Sequence, residues 1–130
     1  MTALLDTNVL IRHLTGDPPD MAAKASAYLL SGRDLVLTDL VVAEIVYVLE
    51  SFYQQTRVQV VGLVAAVVSS ARFQVQDRAL LIRSLEVYVD HKIDFTEAYL
   101  VASAEKAGIT EIASFDRAID RVPTITRIEP

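Results

Sequence analysis

Short apolar runs alternate with longer stretches of helical periodicity along this chain, and that alternation restricts the fold more than any other feature. Residues 2–5, 35–37, 72–75 and 111–113 read as strands, and 124–127 reads as an edge strand. The connections between them are too long for hairpin turns. A parallel neighbour can be reached only through a crossover of about a dozen residues or more, usually helical. The order β-α-α-β-α-α-β-α-α-β-α-β therefore predicts an α/β domain. Its central sheet is mostly parallel, has four to five strands and carries helices on both faces. The pattern is expected to span 1–130 as a single domain, without internal repeat or linker.

Local signals place the helices. Asp6, Thr7 or Asn8 caps a short helix reaching about Leu14. Pro19 or Asp20 opens a second, with Met21, Ala25, Tyr28 and Leu29 at helical spacing, and Gly32 stops it. Thr38 or Asp39 starts a third through Val42, Ile45, Val46, Leu49 and Phe52. A fourth covers 56–70. Asp77 caps a fifth that ends at His91 or Lys92, with Leu81, Leu85, Tyr88 and Val89 as its stripe. Asp94 begins a sixth, which Gly108 ends, and 115–120 forms a short turn or helix.

Composition removes several function classes. There is no cysteine, which excludes disulfides, a thiol nucleophile and thiolate-bound zinc, and suits a reducing cytosol. Two histidines are too few for a histidine-rich metal site. The first residues, with Asp6 and Arg12, lack the pattern of a secretory leader. The longest apolar run, 60–68, falls well short of the roughly 20 residues of a membrane span. A soluble cytoplasmic protein is expected. The net charge of −5 argues against a non-specific duplex-binding protein. Nine of the twelve basic residues are arginines, the better residue for gripping phosphate. Of these, Arg12, Arg117 and Arg121 lie nearest the acidic signatures.

Four such signatures stand out: Leu5-Asp6-Thr7-Asn8, Ala43-Glu44-Ile45, Asp94-Phe95-Thr96-Glu97-Ala98 and Ser114-Phe115-Asp116. Each sets a carboxylate beside an apolar segment expected to be buried. A carboxylate taken out of water without a partner is costly. Converging carboxylates would also repel one another, by about 4 kcal/mol for unit charges roughly 4 Å apart at an effective dielectric of about 20. A divalent cation relieves both penalties, and oxygen donors select magnesium or manganese. Each acid also has a plain structural role. Asp6 and Asp116 suit helix or turn caps, Glu44 suits an ion pair with an arginine, and Asp94 with Glu97 spells a capping box. At i, i+3 spacing the last two also share one face of a first turn.

In this order and spacing the four signatures resemble the PIN-domain ribonucleases. The small size and lack of added domains make the chain similar to the VapC-type toxins of prokaryotic toxin–antitoxin pairs. The resemblance covers essentially the whole sequence. It implies a PIN-like α/β/α sandwich and a magnesium- or manganese-dependent endoribonuclease that hydrolyses RNA phosphodiester bonds. It also implies a homodimer and a cognate antitoxin. Asp6, Glu44 and Asp116 match the family's acids. Glu97 stands where the family usually has aspartate, and Asp94 matches an additional aspartate three residues earlier. The implied metal-binding and catalytic set is thus Asp6, Glu44, Asp94, Glu97 and Asp116, with Asn8 and Ser114 supporting it from behind. Two rival readings are a metal-dependent phosphatase or phosphotransferase with an aspartyl nucleophile, and a non-catalytic receiver-like domain. The first lacks its usual Asp-x-Asp, because Asn8 stands at the second aspartate. The second requires that the acids only cap helices.

Overall fold

The computed structural model describes all 130 residues. Cα geometry divides them into two units, Met1–Gln76 and Asp77–Pro130.

In the first unit, strands β1 (Thr2–Leu4), β2 (Asp34–Val36) and β3 (Phe73–Gln74) form a parallel sheet in the order β1-β2-β3. Ala3 pairs with Leu35, and Leu35 with Phe73. Helices α1 (Thr7–Thr15) and α2 (Pro19–Leu29) connect β1 to β2. Helices α3 (Asp39–Ser51) and α4 (Arg57–Ser69) connect β2 to β3. Leu35 on the middle strand is fully buried. The 2–5 run was expected to be a buried strand, but its Leu4 is exposed and burial begins at Leu5. The reason is pleating at the sheet's edge: alternate side chains point to opposite faces, and β1 has a strand on one side only.

The helix boundaries follow from caps. Thr38 accepts the Val41 N–H at 3.3 Å to begin α3. Thr56 and Gln59 make a reciprocal capping box at α4, at 3.2 and 2.9 Å. Gly16, at φ 70°, ends α1 in the left-handed region, its N–H returning to the Arg12 carbonyl. The buried stripe of α3 is Val42, Ile45, Val46 and Leu49, at the i, i+3, i+4, i+7 spacing of one helix face. Yet α3 is apolar nearly all round: Leu40 is 79% exposed and Tyr47 69%.

In the second unit, α5 (Arg78–Asp90) and α6 (Phe95–Ala107) pack against each other and precede β4 (Glu111–Ala113). A short 3₁₀ helix, Arg117–Arg121, then leads to β5 (Thr126–Ile128), which pairs with β4 in parallel. Leu81, Leu85, Tyr88, Phe95, Val101 and Ile119 build this unit's core. Tyr88 and Phe95 meet edge-on at 6.3 Å between ring centres. Asp77 accepts the Leu80 N–H at 3.0 Å to cap α5 and pairs with Lys106 of α6. All five expected strands form, every pair is parallel, and the class is α/β.

A bidentate ion pair ties α5 to α6. Arg83 Nε and Nη2 donate to the two oxygens of Glu105, at 2.8 and 3.0 Å. The Thr124 hydroxyl adds a third bond to Glu105 at 2.6 Å. The Arg83 guanidinium holds the Glu105 carboxyl below the usual carboxylate range; burial opposes this and Thr124 assists. A lowered carboxyl stabilises the fold above the ordinary carboxylate range and loses that contribution as pH falls through its folded value. Glu105→Gln is therefore expected to lower the melting temperature at neutral pH by about 3 °C, near 1 kcal/mol for a partly exposed bidentate pair. The gap between the two proteins should narrow on acidification. Equal melting at neutral pH would remove the pair from the forces holding α5 to α6.

Candidate active site

The first two acids belong to the first unit. Asp6 follows β1 and occupies the N-cap of α1, but its carboxylate makes no capping hydrogen bond and is exposed. Local geometry thus leaves it free for another partner. Asn8, in the first turn of α1, is also exposed. Glu44 lies on α3 opposite the buried stripe and is exposed as well. The sequence argument for a buried Glu44 rested on its apolar neighbours. In a helix apolar on nearly every face, such neighbours do not mark a buried position.

The other three belong to the second unit. Asp94 is the N-cap of α6, again without a side-chain capping bond. The expected capping box with Glu97 does not form through the Asp94 carboxylate. Glu97, in the first turn of α6, is half-buried, and its Oε2 is enclosed without a hydrogen-bond partner. Burial pushes the Glu97 carboxyl up; its own backbone N–H opposes this, and the negative charges of Asp94 and Asp116 add to the rise. Of the five acids only Glu97 suffers the expected desolvation. The others lie at element ends or on an outward helix face, where a carboxylate reaches water although its chain neighbours are buried.

Asp116 follows β4 at the start of the 3₁₀ helix. Its Oδ1 accepts the Ala118 N–H at 2.9 Å, so a cap role is present, and the carboxylate is otherwise exposed. Ser114, expected to support the site, meets the backbone of the same turn: its Oγ accepts the Asp116 N–H at 2.9 Å.

Sequence reasoning missed Arg127. From β5 this arginine donates to the Ser114 carbonyl at 3.0 Å and pairs with Asp120 at 3.0 Å and Glu129 at 3.2 Å. It buttresses the turn that carries Asp116. The only local signal was a basic residue in a short strand with an acid two positions on. Of the three arginines nearest the acidic signatures, Arg12 donates to the Asp17 carbonyl at 3.2 Å and Arg121 to the Lys92 carbonyl at 2.7 Å. Arg117 is exposed and makes none of the unit's ion pairs.

Within either unit, no three acids or histidines close into a metal cage. An open arrangement suits magnesium, which is usually held by one or two carboxylates with waters and substrate phosphate completing its shell. The partnerless Oε2 of Glu97, beside two further carboxylates, is the feature that fits a hard cation. Without metal, Glu97 makes a distinct prediction. A carboxyl with a raised folded value favours the fold while protonated, and that contribution is lost as pH rises through the raised value. Glu97→Gln is expected to melt above wild type at neutral pH in chelator. The two should converge as pH drops into the ordinary carboxylate range. Lower melting of the variant at neutral pH would refute the strained-carboxylate picture.

A model of the PIN domain family matches residues 3–125. The VapC ribonuclease of Aquifex aeolicus (strain VF5) is similar to this chain at 25% identity over 122 residues, covering 92% of this chain and 90% of that protein. Among solved structures, Mycobacterium tuberculosis VapC20, described as a sarcin-ricin loop cleaving toxin, is similar over 100% of both chains at 18% identity, with a TM-score of 0.46.

Proposed function

Since the chain belongs to the PIN-domain family, we propose that it is a metal-dependent endoribonuclease and the toxin of a toxin–antitoxin pair. The observation that carries this reading is Glu97: a half-buried carboxylate with an unpartnered oxygen, its carboxyl pushed up by burial and by Asp94 and Asp116. Similarity to a VapC ribonuclease over nearly the full length supports the same reading.

Asp94, Glu97 and Asp116 are the acids of the second unit that the family likeness assigns to a Mg²⁺ or Mn²⁺ site. Asp6 and Glu44 are the acids that the family likeness assigns to the same reaction, with Asn8 and Ser114 in support. A bound cation would supply a polarised scissile phosphate and a more acidic water. The chain's own residues do the rest. Ser114 and Ala118 fix Asp116 from both sides, so its second oxygen keeps one direction. A carboxylate outside the metal's own shell would take up the proton that water loses on attack. Arg117 is the arginine best placed by its freedom to meet an RNA phosphate.

The partners proposed are RNA, a cognate antitoxin and a second copy of the chain. The exposed Leu40, Tyr47, Phe52 and Val58 of the first unit supply apolar surface for protein contacts. No helix is long and apolar enough to cross a membrane. A cytoplasmic place of action suits an RNA substrate.

Purified protein is expected to cut RNA with Mg²⁺ or Mn²⁺ and to stop in excess EDTA. Glu97→Gln and Asp116→Asn should each slow single-turnover cleavage at least tenfold, about 1.4 kcal/mol of transition-state stabilisation. Both should keep their fold, since asparagine can still accept the Ala118 N–H. Undiminished cutting in chelator, or wild-type rates in both variants, would refute the proposal.

A further inference from the structure

We infer that Phe115 is a base-stacking platform, holding one unpaired base of the substrate against the turn that carries Asp116. The inference rests on the ribonuclease reading and adds to it one residue that touches the substrate.

Phe115 is 72% exposed. The second unit does not lack room for aromatic rings: Phe95 is buried there, in contact with Tyr88 and Tyr99. The solvent-facing ring of Phe115 contributes nothing comparable to the core. Nor does it ride on a loose loop. Ser114 on one side donates its N–H to the Ile128 carbonyl at 3.0 Å and accepts Arg127 Nη1 on its own carbonyl at 3.0 Å. Asp116 on the other side donates its N–H to Ser114 Oγ and accepts the Ala118 N–H, both at 2.9 Å. The residues flanking Phe115 are thus fixed by four hydrogen bonds, and the ring itself has two rotatable bonds. Little freedom remains to be lost when a partner lies on it.

The surroundings choose the partner. The residues on either side of Phe115, Ser114 and Asp116, are polar, and Arg117 follows them. A protein anchor is usually a large side chain sunk in an apolar pocket. A nucleobase needs only a π-face, with a cation in reach of its phosphate, and Arg117 is exposed and outside the unit's ion pairs. A chain of net charge −5 has little general attraction for RNA, so a grip independent of charge is what such a site requires. A base inside a duplex has no free face. The platform therefore takes single-stranded segments or loops.

The test uses a mixed-sequence single-stranded oligoribonucleotide with 2-aminopurine, or an abasic residue, at successive positions. Affinity is read in Ca²⁺ and single-turnover cleavage in Mn²⁺. Phe115→Leu and Phe115→Ala are expected to weaken binding about tenfold, and Phe115→Trp to stay within about twofold of wild type. Wild type and Phe115→Trp should quench 2-aminopurine at one position, and Phe115→Leu should not. An abasic residue there should weaken wild type but leave Phe115→Ala unchanged, the coupling expected of a direct contact. Melting temperatures should not move. If wild type cleaves and Phe115→Leu binds and quenches equally well, stacking is refuted while the ribonuclease reading stands. If wild type binds and quenches through Phe115 without cleaving, the ribonuclease reading fails and the platform stands. If Phe115→Ala changes only self-association in sedimentation, the ring belongs to a protein contact and the inference is overturned.

Discussion

Parallel strand pairing is the constraint on which the rest of this structure depends. A parallel neighbour cannot be reached by a tight turn, so each connection must leave the sheet, cross it and return to the same starting edge. Within each sheet the strands therefore all finish at one end. The residues just past each strand are delivered there: Asp6 after β1, Thr38 after β2, and Ser114 to Asp116 after β4. These positions combine a rigid backbone behind with open space ahead. Ligands of open α/β sheets are held beyond the carboxyl ends of strands for this reason.

At Glu97, burial first and then the negative charges of Asp94 and Asp116 raise the energy of ionising the carboxyl. The opposite arrangement appears at Glu105, which Arg83 and Thr124 satisfy on both oxygens. One carboxylate of α6 is matched by partners within the chain, and another eight residues earlier is left wanting one. That contrast within a single helix sets a carboxylate with partners in the chain against one oxygen that has none.

Short-range interactions were legible in the sequence. Threonine at 38 and 56 and aspartate at 77 announced helix starts, and each forms its bond with a backbone N–H three residues on. Gly108 announced a helix end by the left-handed conformation it adopts, whereas α2 ends at Leu29, three residues before the Gly32 expected to stop it. The acids were legible as a set because their motifs are local too. The same reasoning misplaced the carboxylates of Glu44 and Asp94. Apolar neighbours of Glu44 implied burial on a helix that is apolar on nearly every face, and Asp94 with Glu97 spelled a capping box whose Asp94 bond is not made.

The sequence by itself determined that these helices and strands form, in which order, and to within a few residues where they lie. Those outcomes depend on backbone torsions and on bonds spanning a few residues. Tertiary structure alone decided that Glu97 rather than Glu44 is the desolvated acid, that Arg127 braces the turn at Ser114, and that Phe115 is left facing water. Desolvation, bracing and exposure depend on what the rest of the chain packs around a residue. For Arg127 and Ser114 the partners lie thirteen positions apart and are joined only by the parallel pairing of β4 with β5. No local pattern encodes such a meeting, because its energy exists only after the strands have found each other.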